Sequence, residues 1–481
     1  MQIEKLAHIF REYDIRGIID TEINDDFVYA LGFVLADFYL QEGHTRLLIG
    51  YDTRKNSARY HDILTQVFSV KGLHVISLGL VPTPCLYFSI HHLGIFAGVE
   101  VTASHNPAEY TGFKLWNKKT SLCGAEIQKL FCSMQEFLHR LQKKSLTAQK
   151  YCHLLLQENS PRGFIGVYDC LPSYREKVLE TIIPLSKSTC SLVVDGANGA
   201  AGKLCADLFK KAGANVIELF CEEEEDFPHH EPDPTRKKNL QALCKTMQEH
   251  QAKYGIALDG DGDRVVLVDK NCRVLKSDAL MSIFINDITA RKPNALFLLD
   301  VKCSQELIKE IEKLGANYLL TPTGHSHLKQ HMLSTEADFG GELSGHFFHS
   351  ENWYKTDDGI LTALRAISLL EKNKLDLTVL PKWEHTFSTE EIAVPCTKEQ
   401  KKHINRLAVQ YFTQKYQGMA ECITLDGIRC VFNSAWFLVR ASQTSEQITL
   451  RFEAKTEEQF TALKQTVLTD LEKILRSSEI L

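Results

Sequence analysis

The sequence has no uninterrupted apolar run of the ~18 residues that a membrane-spanning helix needs, no C-x-x-C pair and no G-x-S-x-G elbow. Each absence removes a class. Without the long apolar run there is no transmembrane helix to place. The start, "MQIEKLAHIFREYD", also lacks the apolar core of a secretory signal, so a cytoplasmic location is expected. Without a strand-turn-helix G-x-S-x-G, an α/β-hydrolase nucleophile has no seat. Charge of one sign is not in excess: 55 Lys and Arg stand against 61 Asp and Glu, a net of -6. That balance offers no basic surface for nucleic acid or for an anionic membrane, and neither partner is expected. The 14 cysteines are spread singly, as at Cys85, Cys190 and Cys303. Such spacing reads as buried free thiols, since disulfides are rare in a reducing compartment.

What is present is length and a repeated beat. A chain of 481 residues exceeds the size of a single core and calls for three or four domains. With 44% hydrophobic and 24% charged residues, it has a globular composition. "TRLLIGYD" (45–52) reads as a strand, 58–72 as a helix closed by Gly72, and "LHVISLGLVPTP" (73–84) as a strand again. Over 124–144, Ile127, Leu130, Phe131, Met134, Phe137, Leu138 and Leu141 fall on one helical face. The order strand, polar turn, helix, strand recurs over 191–219 and 295–324, the mark of α/β units with right-handed crossovers. The tail changes character, with strands at "FNSAWFLVRAS" and "ITLRFEA" before a helix over 456–476. These patterns predict three related α/β domains over 1–162, 163–273 and 274–385, then a smaller α+β domain over 386–481. The weakly periodic stretch 145–163 reads as a linker.

Two stretches carry chemistry. In "ALDGDGDRVVLVD" (257–269), Asp259, Asp261 and Asp263 alternate with glycines directly after a strand. Carboxylates this close repel unless a cation lies among them, and hard oxygen donors suit Mg²⁺ or Ca²⁺. An EF-hand loop is excluded, because its sixth and twelfth positions would be Arg264 and Lys270. An acidic turn without an ion is the alternative, and Gly260 and Gly262, which allow tight backbone curvature, favour the metal reading. Arg264 adds a cation suited to phosphate. The second stretch is "TASHNP" (102–107), where Ser104 stands beside His105 and before Asn106-Pro107. It reads equally as a nucleophile loop or as simple turn chemistry. A lone serine, three aspartates and scattered basic residues together point to phosphoryl transfer. The run "CEEEEDFPHHEPDP" (221–234), with His229 and His230, reads as a solvated acidic loop rather than a metal site.

These residues, in order, resemble the α-D-phosphohexomutases, in particular their phosphomannomutase/phosphoglucomutase branch. The resemblance runs through "FREYDIRG" (10–17), "GYDTRKNS" (50–57), "TASHNP", "GFKLW" (112–116), "VVDGANGAAG" (193–202), "DFPHHEPDP", "DGDGDR" (259–264), "DVKCS" (300–304), "GHSHLK" (324–329), "GGELSGHFF" (340–348) and "RASQT" (440–444). It implies four domains around a central cleft and interconversion of hexose 1- and 6-phosphates of mannose or glucose through a 1,6-bisphosphate. It implies that Ser104 carries the phosphoryl group and joins Asp259, Asp261 and Asp263 in holding Mg²⁺. Arg16, His105 and Lys114 match positions near the transferring phosphate. Lys114 and Arg16 are the candidates to assist proton transfer or stabilise charge. Tyr13, Arg264, Lys302, His325, Glu342, Ser344 and His346 match substrate-facing positions, with Glu342 and Ser344 placed to read adjacent ring hydroxyls. Arg440, Ser442, Gln443 and Thr444 match a loop that holds the phosphate not being transferred. Through that loop the last domain, hinged near 385, is expected to close toward the others. Partners are small hexose phosphates, and the expected assembly is a monomer or weak dimer.

The sequence departs from the resemblance in places. The last-domain loop is usually R-x-S-N-T-x-P; here Gln443 replaces Asn and Glu446 replaces Pro, while Pro322 stands where a basic residue is expected. Leu343, between the two sugar-reading residues, is apolar as in the glucose/mannose branch, which disfavours a phosphoglucosamine mutase. The same residues would also serve a metal-dependent sugar phosphatase or a sugar-phosphate-binding protein. His327 and His331 have no motif position and read as surface or packing residues.

Overall fold

The alternation of β-rich runs and amphipathic helices produces four sheets, seen in a computed structural model that describes residues 3–158, 161–380, 386–443 and 445–478. The chain divides into two units: Met1–Leu280 with Ser344–Val379, and Met281–Leu343 with Leu380–Leu481. Three α/β domains and a smaller α+β domain are present, as the sequence pattern predicts.

In the first unit, the strands Arg46–Tyr51, His74–Leu80 and Ala97–Val101 are parallel, with Arg46–Tyr51 in the middle. Tyr110–Asn117 then runs antiparallel beside Ala97–Val101 and carries Ile15–Ile18 on its other edge. The chain therefore leaves Val101 and returns at Tyr110, and the serine loop is the connection between two sheet neighbours. The helix Ala125–Lys143 buries Ile127, Leu130, Met134, Phe137 and Leu141, the stripe read from the sequence. Two local readings are corrected. "LHVISLGLVPTP" is strand only to Leu80; Pro82 takes an extended backbone and a helix begins at Thr83, with Pro84 in its first turn. Proline at that position needs no N–H partner and presets the helical φ, so it starts the helix rather than ending the strand. The predicted linker contains the helix Ala148–Gln157, capped by Thr147, whose Ala148 and Cys152 join the first domain's core. Two fully buried positions four apart are too few to show as periodicity. Ile165–Val167 then adds a parallel strand beside His74–Leu80.

The second domain centres on Ser191–Asp195, with Asn215–Leu219 and Tyr254–Leu258 parallel on either side and Val265–Asp269 antiparallel at the edge. The aspartate loop is the turn between Leu258 and Val265. The acidic run is only partly solvated. Glu222, Glu224, Glu225 and Asp226 are exposed, but Phe227 is buried with the Arg54 guanidinium 4.8 Å from its ring centroid. His229 stacks on Phe220, and His230 Nε2 lies 3.1 Å from Asp195.

In the second unit, Leu296–Asp300 pairs in parallel with Asn317–Thr321 and with Phe339–Gly341. The last domain is an antiparallel sheet from Phe387–Ser388 to Gln447–Ala454, backed by the helices Lys398–Lys415 and Glu457–Ser478. The expected hinge near 385 falls in 381–385, outside the described residues. On either side of that segment the two domains are tied. Buried Arg429 donates to the carbonyls of Val301 (2.5 Å) and Cys303 (2.8 Å) and lies 3.8 Å over the Trp436 ring. Buried Glu453 accepts from Trp436 Nε1 and Ser304 Oγ, each at 2.9 Å. All 14 cysteines are free thiols, and Cys132 is the exposed one. Among the described residues, no helix is long and apolar enough to cross a membrane.

Candidate active site

Ser104 occupies a left-handed backbone position, φ +51°. For a serine this costs about 1–2 kcal/mol, so the surroundings must impose it. Arg54 does most of this. Its Nη2 donates to the carbonyls of Ser104 (2.6 Å) and Asn106 (2.5 Å), and its Nη1 to those of Pro107 (2.7 Å) and Tyr110 (3.2 Å). Asp52 holds Arg54 in turn, at 3.2 Å, with both side chains fully buried. The same carboxylate accepts from Ser57 and from Thr102, whose hydroxyl oxygen takes the Ser104 N–H at 2.9 Å. From the other side Arg16 donates to the Ala103 carbonyl and to Asn106 Oδ1, and is oriented by Asp14. Asn106 N–H closes the turn on Ala103 O at 3.1 Å. The Asn-Pro turn and the presented hydroxyl are thus one structure, and the two readings of the motif do not compete.

The aspartate loop meets this turn. Asp259, Asp261 and Asp263 are all fully buried. Ser104 Oγ donates to Asp259 Oδ2 at 2.7 Å. A Cβ on Gly260 would stand 2.6 Å from the Ser104 carbonyl, so only glycine allows the loops to approach this closely. Gly262 takes φ +74°. Lys114 Nζ lies 2.5 Å from both Asp261 and Asp263, and Thr83 Oγ1 donates to Asp261 at 2.6 Å. Burial, then Asp261 and Asp263, push the Asp259 carboxyl well above its ordinary range. Burial works against charge on Lys114, but Asp261 and Asp263 more than offset it, and the ammonium keeps its proton. Asp261 Oδ1 and Asp263 Oδ1 are buried without a hydrogen-bond partner. Three carboxylates with two orphaned oxygens, and no sulfur or imidazole among the three, fit a hard divalent cation.

Next to this loop, the Arg264 N–H donates to Asp259 Oδ1 at 3.1 Å and its Nε to His346 Nε2 at 2.9 Å. His105 Nδ1 lies 3.3 Å from Ser104 Oγ. Burial, then Arg264 and Arg16, hold the His105 imidazole well below its ordinary pKa and therefore neutral. Tyr13 is buried just ahead of the Ile15–Ile18 strand, and Ser344 is half-buried two residues before His346. The first unit thus brings together Arg16, Ser104, His105, Lys114, the three aspartates, Arg264 and His346.

The second unit gathers the rest of the expected set separately. Lys302 Nζ lies 2.6 Å from Glu391 and 3.5 Å from Asp300. Burial disfavours its charge, but Glu391 and Asp300 raise it well above an ordinary lysine. Glu342 Oε1 accepts the Gly324 N–H at 2.9 Å, and His325 opens the next helix. Arg440 Nε donates to Asp426 Oδ2 at 2.8 Å, and the same oxygen takes the Thr323 N–H. Ser442 is buried while Gln443 and Glu446 are exposed. Thr444 lies outside the described residues. Pro322 and His327 are half-buried, and His331 Nδ1 bonds the His327 carbonyl at 2.8 Å.

Several residues here escaped the sequence reading. Arg54 lay inside "GYDTRKNS" without a role, and the signal was present: a buried-strand exit followed by an arginine. Asp426 and Glu391 orient Arg440 and Lys302 from positions with no motif. Lys401 donates to the carbonyls of Ser442 (2.7 Å) and Ser445 (3.0 Å), and Asn405 accepts the Ala441 N–H, so one helix face braces the chain after Arg440. Nothing in the sequence pairs residues so far apart.

The chain is similar to known proteins along almost its whole length. Family models described as phosphoglucomutase/phosphomannomutase α/β/α domains I, II and III match residues 7–134, 172–272 and 276–384. A phosphomannomutase/phosphoglucomutase of Pseudomonas aeruginosa is 34% identical over 97% of this chain and 96% of its own. A phosphoglucomutase of Neisseria meningitidis is 33% identical over 93% of each chain. The crystal structure of a phosphoglucomutase/phosphomannomutase family protein from Burkholderia thailandensis superimposes with a TM-score of 0.84 at 28% identity, covering 98% of each chain. With three domains matched in order and a relative aligned almost end to end, the chain belongs to the phosphoglucomutase/phosphomannomutase family.

Proposed function

We propose that the chain is a phosphohexomutase that interconverts the 1- and 6-phosphates of glucose and mannose through phosphorylated Ser104 and a hexose 1,6-bisphosphate. The observation that carries this reading is the Ser104 hydroxyl on its enforced turn, 2.7 Å from Asp259 and facing a three-carboxylate loop. In the transfer, a sugar hydroxyl oxygen bonds to phosphorus as the P–Oγ bond of phospho-Ser104 breaks. The hydroxyl proton must leave, and neutral His105, beside Oγ, is suited to take it. Lys114 remains an ammonium, so its part is to stabilise charge rather than act as a base. Arg16 and Arg54 hold the loop still, and Arg264 offers a planar fork to phosphate.

Asp259, Asp261 and Asp263, with an oxygen of the Ser104 phosphate, would hold Mg²⁺. Bound there, the ion neutralises phosphoryl charge. Arg440 and Ser442, with Lys302 nearby in the same unit, suit the second phosphate, and Glu342 suits a sugar hydroxyl. ³¹P NMR with glucose 1-phosphate and mannose 1-phosphate, with and without Mg²⁺, tests the reading. Conversion to the 6-phosphates is expected for both sugars. Release of inorganic phosphate alone identifies a phosphatase instead, and no reaction leaves a sugar-phosphate-binding protein.

A further inference from the structure

Asp263, His346 and Asp357 resemble a second metal site: all are buried, and one ligand atom from each lies within 4.8 Å of the others. The contact with Arg264 excludes that use. Arg264 Nε always carries hydrogen and donates to His346 Nε2 at 2.9 Å. Nε2 must therefore present its lone pair, and the imidazole proton resides on Nδ1. A protonated Nδ1 cannot ligate a cation, and an imidazolium would set two N–H groups against each other at Nε2. Nδ1 instead faces Asp357 Oδ2 at 3.0 Å and Asp263 Oδ1 at 3.6 Å. The opposite tautomer would aim a lone pair at two carboxylates and an N–H at a guanidinium, repulsive on both sides. The backbone fixes the three segments together: Arg264 bridges His346, Phe348 bridges Asp357, and Val265 N–H bonds the Gly345 carbonyl at 3.1 Å.

We propose that Asp357 is a positioning residue for phosphoryl transfer: the charge of its carboxylate, 3.0 Å from Nδ1, favours the Nδ1–H form of His346, and His346 then holds the Arg264 guanidinium beside the Ser104–Asp259 pair. Arg264 Nε lies 3.9 Å from Asp259 Oδ2, so a lost contact at His346 weakens the placement of the guanidinium next to the reacting groups. The effect on rate rests on the mutase reading; the tautomer does not. An Asn at 357 can offer an amide N–H to Nδ1, which favours the wrong tautomer while conserving shape, as a carboxylate-to-amide change does in a catalytic triad.

The test is ¹⁵N–¹H correlation of the histidine rings in full-length protein, with His346 assigned by its absence in His346→Gln, alongside steady-state kinetics on glucose 1-phosphate. Wild type should show Nδ1 protonated and Nε2 bare. Asp357→Asn should shift His346 toward Nε2–H and lower kcat about 10–100-fold, the usual range for residues that orient a ligand from behind, with KM changed less than about threefold. Asp357→Glu should keep the Nδ1–H form and recover most of kcat. In a His346→Gln background, where the Gln oxygen accepts from Arg264 unaided, adding Asp357→Asn should cost little more. Protonated Nε2 in wild type overturns the proposal whatever the activity, and so does full kcat in Asp357→Asn. If Asp357→Asn does not fold, the wild-type tautomer and Asp357→Glu still decide. A wild type that turns over no hexose phosphate sinks the mutase reading but leaves the ring spectrum as evidence on Asp357.

Discussion

Replacing Arg54 with Met keeps the aliphatic stem and removes the guanidinium donors on four carbonyls of the serine loop, leaving those of Arg16 in place. Arg54 and Asp52 form a fully buried pair, and removing one partner of such a pair costs about 3–5 kcal/mol. Four carbonyls also lose their donor: those of Ser104, Asn106, Pro107 and Tyr110. Each left dry adds about 1–3 kcal/mol, although water entering from the loop side offsets part of that. Even if water satisfies all but one of the four carbonyls, the total is about 4 kcal/mol, a large share of the 5–15 kcal/mol that holds a typical domain. It exceeds the strain of the left-handed Ser104 backbone, so the loop should relax before the domain unfolds. Hydrogen exchange read by mass spectrometry should show peptides covering 102–112 losing protection by a factor of several hundred or more, since each 1.36 kcal/mol is tenfold. Phosphate on Ser104 should fall below detection in intact-mass spectra. Arg54→Lys retains the charge opposite Asp52 but not the fork, so it should rescue the domain's stability more than the loop's protection. Unchanged exchange over 102–112 in Arg54→Met would show that the loop shape comes from its own turn chemistry and that the arginine is incidental.

Ser104→Ala should fold, carry no phosphate by mass spectrometry and lose mutase turnover; full activity would end the phosphoserine reading. Arg440→Ala should raise KM for both sugars alike, by about 10–150-fold, the equivalent of the 1.5–3 kcal/mol of a charged hydrogen bond, and Asp426→Ala should reproduce part of the effect by freeing the guanidinium. Stability should also decline in acid through His91, whose pKa burial lowers to about 4. Because the unfolded chain binds that proton near pH 6.5 and the folded chain only near pH 4, stability is intact above about 6.5 and lost progressively down to about 4, by roughly 3 kcal/mol. Thermal melts of His91→Phe should be flatter across that window, and identical pH profiles for both proteins would refute the assignment.

The three α/β units and the two loops that meet at Ser104 and Asp259 were legible because each rests on local signals: a period of 3.6 or 2, or a glycine-aspartate alternation within six residues. Ser104 and the three aspartates could be named from spacing and resemblance alone. The helix Ala148–Gln157 was not legible, since it buries only Ala148 and Cys152 in full and its remaining apolar residues are shared with solvent. The groups that orient the reactive ones were the least visible. Arg54 acts on main-chain carbonyls some 50 residues away, Asp357 acts through His346, and Asp426 reaches Arg440 from a hairpin tip. A sequence records which side chains exist, but such pairings depend on which loops the sheets bring side by side.

The tie between the third and fourth domains distributes constraint unevenly. Arg429 addresses carbonyl oxygens of Val301 and Cys303, and every amino acid provides a carbonyl. Substitutions at those two positions are therefore invisible to the arginine as long as the backbone keeps its course. On the other side nothing generic will serve: a guanidinium and an indole must both be present, stacked at 3.8 Å. Over evolutionary time the third domain is held at this seam by three side chains, Val301 beside Trp436, Ser304 on Glu453 and Gln305 on Arg429, while the fourth must keep Arg429 and Trp436. A fourth domain transplanted from a relative that keeps both residues should seat on this third domain even where the sequences facing it have diverged.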